Sequence, residues 1–428
     1  MPVLHKVQAG DTIDSIAAQY QIPTDRLMMD NGLLPDSKLN IGQIIVIAHP
    51  QLTYTVKEGD ILKNIAQDNG VTVIELLRNN PFLSNQEYLE AGEELVIRYD
   101  TKGNKIKVNG FSFNFISESV LKMTLPFLTY ITVMGYQVDA EANIADVDDS
   151  HITQTAVNYG VIPLMLISTI DEYGHGSSAV THVLLNNKEL QNTLINNIIT
   201  VIQEKGFYGA VFGFQYILED DLVKYIEFLE NASQMLHNSG YLSQVVLIPT
   251  TFGYTDNPKF EQTYFFRIGQ AADEVILLSY QWARDYIPNI YQTSFSYLKN
   301  YLYEVLTHIP PEKIFLGVSR IAYDWELPYY EGLSHVSALT NPSALALANQ
   351  YDSEILFDEN TQFPYFYYDL AGTEHLVWFK DARHTNAILE LVSDYGLGGV
   401  AIWNIMNFFR IWLVINTQFE IVKLLPVE

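Results

Sequence analysis

The alternation of apolar and polar positions changes character near residue 100. Upstream, His5–Val7 reads as a short strand followed by a Gly10-Asp11 turn. Ile13, Ile16, Ala17 and Tyr20 then fall at the spacing of one helical face. Thr24–Asp30 predicts a second short helix and Gln43–Ile47 a closing strand, giving the order βααβ. The pattern occurs twice. His5-Lys6-Val7-Gln8-Ala9-Gly10-Asp11-Thr12 aligns with Tyr54-Thr55-Val56-Lys57-Glu58-Gly59-Asp60-Ile61 at an offset of 49, as do Ile16-Ala17 with Ile65-Ala66 and Asn31 with Asn80. After one inserted residue, Leu39, Gly42 and Val46 match Leu89, Gly92 and Val96 at an offset of 50. Self-similarity of this length predicts two copies of one small module, residues 1–50 and 51–100.

From Lys105 onward the runs become longer and continuously apolar, as strands buried on both faces require. Eight are visible: Lys107–Phe113, Leu128–Met134, Val161–Ser168, Gly209–Tyr216, Gln244–Thr250, Glu274–Tyr280, Ile314–Ser319 and Gly399–Asn404. Helix-like stretches separate them, so residues 101–428 predict a (β/α)8 TIM barrel of class α/β, with its working groups at the C-terminal strand ends. The last gap is too long for one helix. Glu354–Asp358, Pro364–Asp369 and His375–Phe379 read there as short strands around a turn at Ala371-Gly372, a small β-rich insertion ahead of the final barrel helix.

Composition narrows the function. The chain has 428 residues, with Lys+Arg 24 against Asp+Glu 50 and a net charge of −26. Such a surface repels phosphate backbones and anionic headgroups, which argues against nucleic acid as a partner. Apolar runs such as Val161–Ile167 fall far short of the ~20 residues of a membrane span, so no membrane insertion is expected. Zero Cys excludes thiolate metal sites, thiol nucleophiles and disulfides; no metal and no cofactor is expected. Met1–Gly10 has no basic segment followed by an apolar one, so the reading is synthesis in the cytoplasm without a signal peptide. Aromatic residues make up 13%, and their faces stack on sugar rings as well as they pack cores.

The V-x-x-G-D-[TI] opening, the central Asn and the late Gly before an apolar strand make both repeats resemble LysM modules. That resemblance implies binding of N-acetylglucosamine-containing polymers, peptidoglycan or chitin, between the loops after the first strand and before the second. Carried over, the glycan-binding residues are Gly10, Asp11, Thr12, Ile13 and Asn31 in the first copy, and Gly59, Asp60, Ile61 and Asn80 in the second. Asp11 and Asp60 also read as helix N-caps. Ile61 departs from the Thr usual at its position.

Thr124-Leu125-Pro126-Phe127-Leu128-Thr129-Tyr130, Tyr159-Gly160-Val161-Ile162-Pro163-Leu164-Met165, Ser279-Tyr280-Gln281-Trp282, Val377-Trp378-Phe379-Lys380-Asp381-Ala382-Arg383 and Tyr395–Trp403 resemble glycoside hydrolase family 18. The likeness is to its LysM-bearing spore peptidoglycan hydrolases. In active members a fourth-strand D-x-E supplies the general acid and the Asp that orients the substrate acetamide, a substrate-assisted mechanism. Here those positions hold Gly213 and Gln215, and a sixth-strand Tyr-Asp or Tyr-Glu becomes Tyr280-Gln281. No catalytic set is intact. An amide has no proton to give, and losing a general acid costs ~10²–10⁴-fold.

The sugar-binding positions are better kept. The resemblance places Trp403 under the sugar and Tyr280 at the acetamide, with Gln215, Gln281, Trp282 and Phe113 beside them; Phe111, Tyr323 and Trp325 are further rim aromatics. Asp171, Glu172, Asp285, Asp324 and Glu326 are the rim carboxylates, read as caps or solvated charges, and Glu219, Asp220 and Asp221 as acids complementing the dipole of the fourth helix. Together these residues predict a cell-wall glycan binder whose family-18 barrel is a pseudoenzyme, located on the spore coat, cortex or cell wall. The alternative is an N-acetylglucosaminidase of spore cortex peptidoglycan or chitin with a rewired acid.

Overall fold

The computed structural model describes residues 2–101, 103–170, 176–214, 217–247, 258–278, 295–330, 333–408 and 410–427. Each N-terminal repeat pairs its first and last strands antiparallel, Val3–Lys6 with Ile44–Ile47 and Leu52–Thr55 with Glu94–Arg98. Two helices close each unit: Ile13–Tyr20 and Thr24–Asn31, then Leu62–Asp68 and Val73–Asn79. The apolar period explains the packing, since Ile16, Ala17 and Leu27 meet Ile45 and Ile47, as Ile65, Ala66 and Leu76 meet Leu95 and Ile97.

Eight parallel strands follow and close on themselves: Lys105–Phe113, Tyr130–Gln137, Ile162–Ser168, Gly209–Phe212, Leu242–Leu247, Glu274–Leu277, Ile314–Ser319 and Gly399–Trp403. Closure is direct, with Trp403 opposite Phe111. The predicted strands are found, with ends displaced by a few residues. The expected ends of the fourth, fifth and sixth, at Tyr216, Thr250 and Tyr280, lie outside the described residues.

Two layers fill the barrel. Toward the N-terminal strand ends, Lys107 meets Glu274 at 2.5 Å, and Tyr130 and Gln244 donate to the same carboxylate at 2.9 and 2.7 Å. Asn109 donates to Gln244 at 2.9 Å and accepts from Thr132 at 2.8 Å. Burial holds the Glu274 carboxyl above its ordinary range even with Lys107 beside it. Toward the C-terminal ends the lumen is apolar: Phe111, Met134, Leu164, Leu166, Val211, Ile276 and Leu278.

The insertion is larger than the sequence pattern suggests. It is a five-stranded antiparallel sheet in the order Val336–Thr340, Ile321–Leu327, Thr373–Trp378, Phe363–Leu370, Leu356–Asp358. It leaves the barrel after the seventh strand and returns at helix Ala382–Tyr395, which precedes the eighth strand. The insertion thus comes directly before helix Ala382–Tyr395, and the five-residue helix Trp412–Asn416 follows the eighth strand. Helix Asn341–Gln350 covers one face, with Ala344 and Ala348 packed on Ala322, Phe366 and Val377. The other face carries Tyr323, Trp325, Tyr365, Tyr367 and Trp378, with Tyr365 stacked on Trp378 at 5.3 Å.

Both repeats dock on this body. Ile355 donates its amide to Ile41 at 2.9 Å, and Arg410 reaches the Met29 carbonyl at 3.0 Å. In the second repeat, Arg78 and Asn79 bond Asn416 at 2.9 and 2.8 Å. Arg26 links the two, pairing with Asp30 and donating to Tyr99 at 2.6 Å.

Candidate functional site

Side-chain alternation along the barrel strands brings Phe113, Met134, Leu166, Gly213, Leu278 and Trp403 toward the C-terminal mouth. Trp403 is half-buried and tilted 50° against Phe111, ring centroids 5.4 Å apart. Phe113 stacks on Phe115 at 5.3 Å, and Phe115 is 73% exposed at the rim. Phe111 is fully buried and supports Trp403 from below, so it is a floor residue and not a rim aromatic. Gln215, Tyr280, Gln281 and Trp282 lie outside the described residues, as do Asp171, Glu172 and Asp285.

Gly213 donates its amide to Ile167 at 2.9 Å, continuing the ladder one residue past the fourth strand. A Cβ there would lie 2.9 Å from Leu166 Cδ1. Apolar volume therefore occupies the space that a fourth-strand side chain would need.

The described rim carboxylates are committed elsewhere. Asp324 lies on the helix-covered face of the inserted sheet, bonded to His375 at 2.9 Å and Tyr368 at 2.6 Å. Glu326 accepts from the His335 amide at 3.3 Å across its own hairpin. Asp221 stands at the N-cap of helix Leu222–Asn238, where it is fully buried and takes His182 at 2.6 Å, Asn186 at 2.9 Å and Lys224 at 3.2 Å. Burial opposes its charge, but these bonds outweigh burial and hold the carboxyl below its ordinary range.

In the repeats, Gly10 and Gly59 sit at φ +91° and +85°, which lets each loop turn sharply beside its exposed edge. Asp11 and Asp60 are not the helix caps expected. Asp11 accepts from the Gln8 amide at 2.7 Å and bonds His5 at 3.0 Å; Asp60 accepts from the Lys57 amide at 2.8 Å and from Tyr54 at 2.8 Å. Those bonds, the backbone amide foremost, hold both carboxyls below the usual range. Thr12 is the true cap, in a reciprocal box with Ser15, whereas Ile61 takes that place in the second repeat with no side-chain cap. His5 and Tyr54 are thus the loop-closing partners that sequence reasoning passed over. The signal existed, because the two align in the repeat.

Asn31 and Asn80 correct the expectation more sharply. Asn80 is fully buried; its amide donates to Leu76 and Val96 carbonyls at 2.9 and 2.7 Å and accepts from Val96 at 2.8 Å. Asn31 repeats the pattern with Leu27 and Val46. Both are cross-ties between helix and strand, and the Asn80 side chain has no surface to offer a sugar. Gly10, Thr12 and Ile61 remain exposed, with Asp11, Asp60 and Asn31 half-buried and Ile13 buried.

The structure is a closed parallel barrel with an α+β insertion after its seventh strand, behind paired βααβ units, the architecture of a barrel enzyme with two appended small modules. The chain belongs to glycosyl hydrolases family 18, whose pattern matches residues 174–407, and it carries two LysM domains, matched at 5–48 and 54–98. It is 30% identical to the cortical fragment-lytic enzyme of Bacillus anthracis, over 97% of this chain and 98% of that one. The crystal structure of the Bacillus cereus spore cortex-lytic enzyme SleL superposes with a TM-score of 0.80 at 29% identity, covering 99% of both chains. A chitinase from Chromobacterium violaceum shares the fold, with a TM-score of 0.63 at 20% identity over 73% of this chain and 98% of its own.

Proposed function

We propose that this protein binds N-acetylglucosamine-containing cell-wall glycan, peptidoglycan or chitin, through its LysM domains and its barrel mouth, without efficient hydrolysis, on the spore envelope or cell wall. The observation that carries this is the lining of the mouth. Among the described residues, the inward-facing groups there include Phe113, Met134, Leu166, Gly213, Leu278 and Trp403, with the hydroxyl residue Ser319 beside Trp403 and no carboxylate among them. Glu274, the carboxylate that does face the lumen, belongs to the opposite end and is spent on Lys107, Tyr130 and Gln244. Gln215 stands at the general-acid position and has no ionisable proton to deliver. Trp403, backed by Phe111, supplies an apolar face for a pyranose ring, and the Gly10 and Gly59 loops supply exposed backbone for a second contact. Near-complete alignment with cortical fragment-lytic and cortex-lytic enzymes supports a spore-wall glycan as the ligand.

The test is turnover of chromogenic N-acetylglucosamine oligomers beside titration of unlabelled ones with the full chain. Expected are measurable binding and hydrolysis at least roughly a hundredfold below an active relative. The relatives' lytic names favour the rival reading, an N-acetylglucosaminidase with a rewired acid. Robust cleavage that survives Gln215→Ala would establish that rival.

A further inference from the structure

The first LysM domain meets the inserted sheet backbone to backbone. At Gly42, φ is +85°, and a Cβ there would fall 1.9 Å from the Ile355 carbonyl oxygen and 2.9 Å from its carbon. The Ile355 amide meanwhile donates to Ile41 at 2.9 Å. Two backbones lie in direct contact at a point where only a residue without a side chain fits. Lys38 pairs with Asp352 at 2.6 Å, and Asn40 reaches the Leu345 carbonyl at 3.5 Å, so the contact extends to both sides of that point.

Ile355 is itself a core residue. It is fully buried among Ala322, Ala348, Phe366 and Val377, beneath the inserted sheet. The same domain is fixed to the barrel on another side, where Val46 enters the main core and Arg410 holds the Met29 carbonyl. Among the described residues, the sheet is held at its exit after Ser319, at its return at helix Ala382–Tyr395, at the Asn360 carbonyl, which accepts from the Phe295 amide at 3.1 Å, and at the first LysM domain. Its exit lies beside the mouth, since Ser319 pairs with Trp403 in the barrel ladder. Tyr323 follows four residues after Ser319 and lies opposite Trp378, which pairs in turn with Tyr365.

We propose that the first LysM domain is the positioning element for this aromatic sheet beside Trp403, and that Gly42 is the residue on which the positioning depends. The proposal rests on the reading that the Trp403 end of the barrel takes glycan. It gives the domain a second role, separate from any sugar it holds. The repeat supplies an internal control. Gly92, the counterpart of Gly42, has φ +95° with no atom within 4 Å of a built Cβ. Gly92→Ala adds backbone strain alone, whereas Gly42→Ala adds strain and collision with Ile355. Gly42→Asn serves as a second variant, because Asn tolerates positive φ better than Ala and carries the same Cβ.

In the full chain, hydrogen exchange should quicken about tenfold across residues 336–378 in both Gly42 variants, and stay at the wild-type rate in Gly92→Ala. Affinity for an N-acetylglucosamine hexamer should fall about threefold to tenfold in the Gly42 variants, and this loss should vanish in a Trp403→Ala background. Equal exchange in the Gly42 and Gly92 variants would overturn the proposal. So would a Gly42 effect that adds in full to that of Trp403→Ala, since it would then act through the domain's own sugar. If Trp403→Ala alone leaves affinity unchanged, the mouth reading fails, and the exchange comparison still decides whether Gly42 positions the sheet.

Discussion

Leu166 on the third barrel strand fills the space beside Gly213 on the fourth, its Cδ1 2.9 Å from where a Cβ on the glycine would stand. A side chain at position 213 would require that methyl group to move. Gly213→Asp should destabilise the barrel by about 1–3 kcal/mol through overpacking. Leu166→Ala alone should cost about 2–5 kcal/mol by leaving a cavity. Together they should cost at least ~0.5 kcal/mol less than their sum, measured by denaturant unfolding. Full additivity would mean that Leu166 moves aside freely. By the same reasoning, Gly213→Asp, Gln215→Glu and Gln281→Asp should restore more cleavage with Leu166→Ala than without it.

Trp403→Ala should weaken oligosaccharide binding by about 1–3 kcal/mol in calorimetric titration, the scale of a central aromatic anchor. Gln215→Ala should cost less, because it deletes one amide. Unchanged affinity in Trp403→Ala would move the ligand out of the barrel mouth.

Replacing the buried cross-tie should act on stability. Asn80→Leu removes the side-chain partner of the Val96 amide and carbonyl, whereas the Leu76 carbonyl keeps the residue-80 backbone N–H at 3.1 Å; the loss is about 1–3 kcal/mol for each group stranded away from water. Asn31→Leu, at a half-buried site, should lose less. Thermal unfolding measures both.

The buried Asp221 carboxyl predicts an acid limb in the stability curve. Its folded pKa lies below the unfolded value, so its contribution is complete above about pH 4 and is lost as pH falls through the lower, folded value. Asp221→Asn should reduce stability at pH 7 and flatten the decline that begins as pH falls below about 4. A variant whose decline over that range matches wild type would show that other carboxylates carry it.

The barrel strands were legible because parallel strands buried on both faces read as continuous apolar runs, and the repeats because two copies check each other. The hairpin Ile321–Leu327 and Val336–Thr340 was not. Its alternation of Tyr323, Asp324, Trp325 and Glu326 looks the same in a sheet as in a functional rim. Helix Asn341–Gln350 was missed because small residues, Ala344 and Ala348, form its buried face and leave almost no amphipathic signal. At the site, the identities of Gly213 and Gln215 were read directly from the sequence. That Leu166 fills the gap at Gly213, and that Asn80 is buried, depends on which residues become neighbours across strands, which one-dimensional spacing does not encode.

The separation of the barrel's two ends has a consequence for how such a chain changes over generations. Its charged cluster, Lys107 with Glu274, Tyr130 and Gln244, anchors the closed end, while the mouth is lined with apolar groups that pack without any ionic partner. Substitutions at the mouth leave untouched the cluster that ties together the first, second, fifth and sixth strands. The residues that hold the barrel closed are thus distinct from those that meet a ligand, so the mouth can be altered without loosening the frame beneath it.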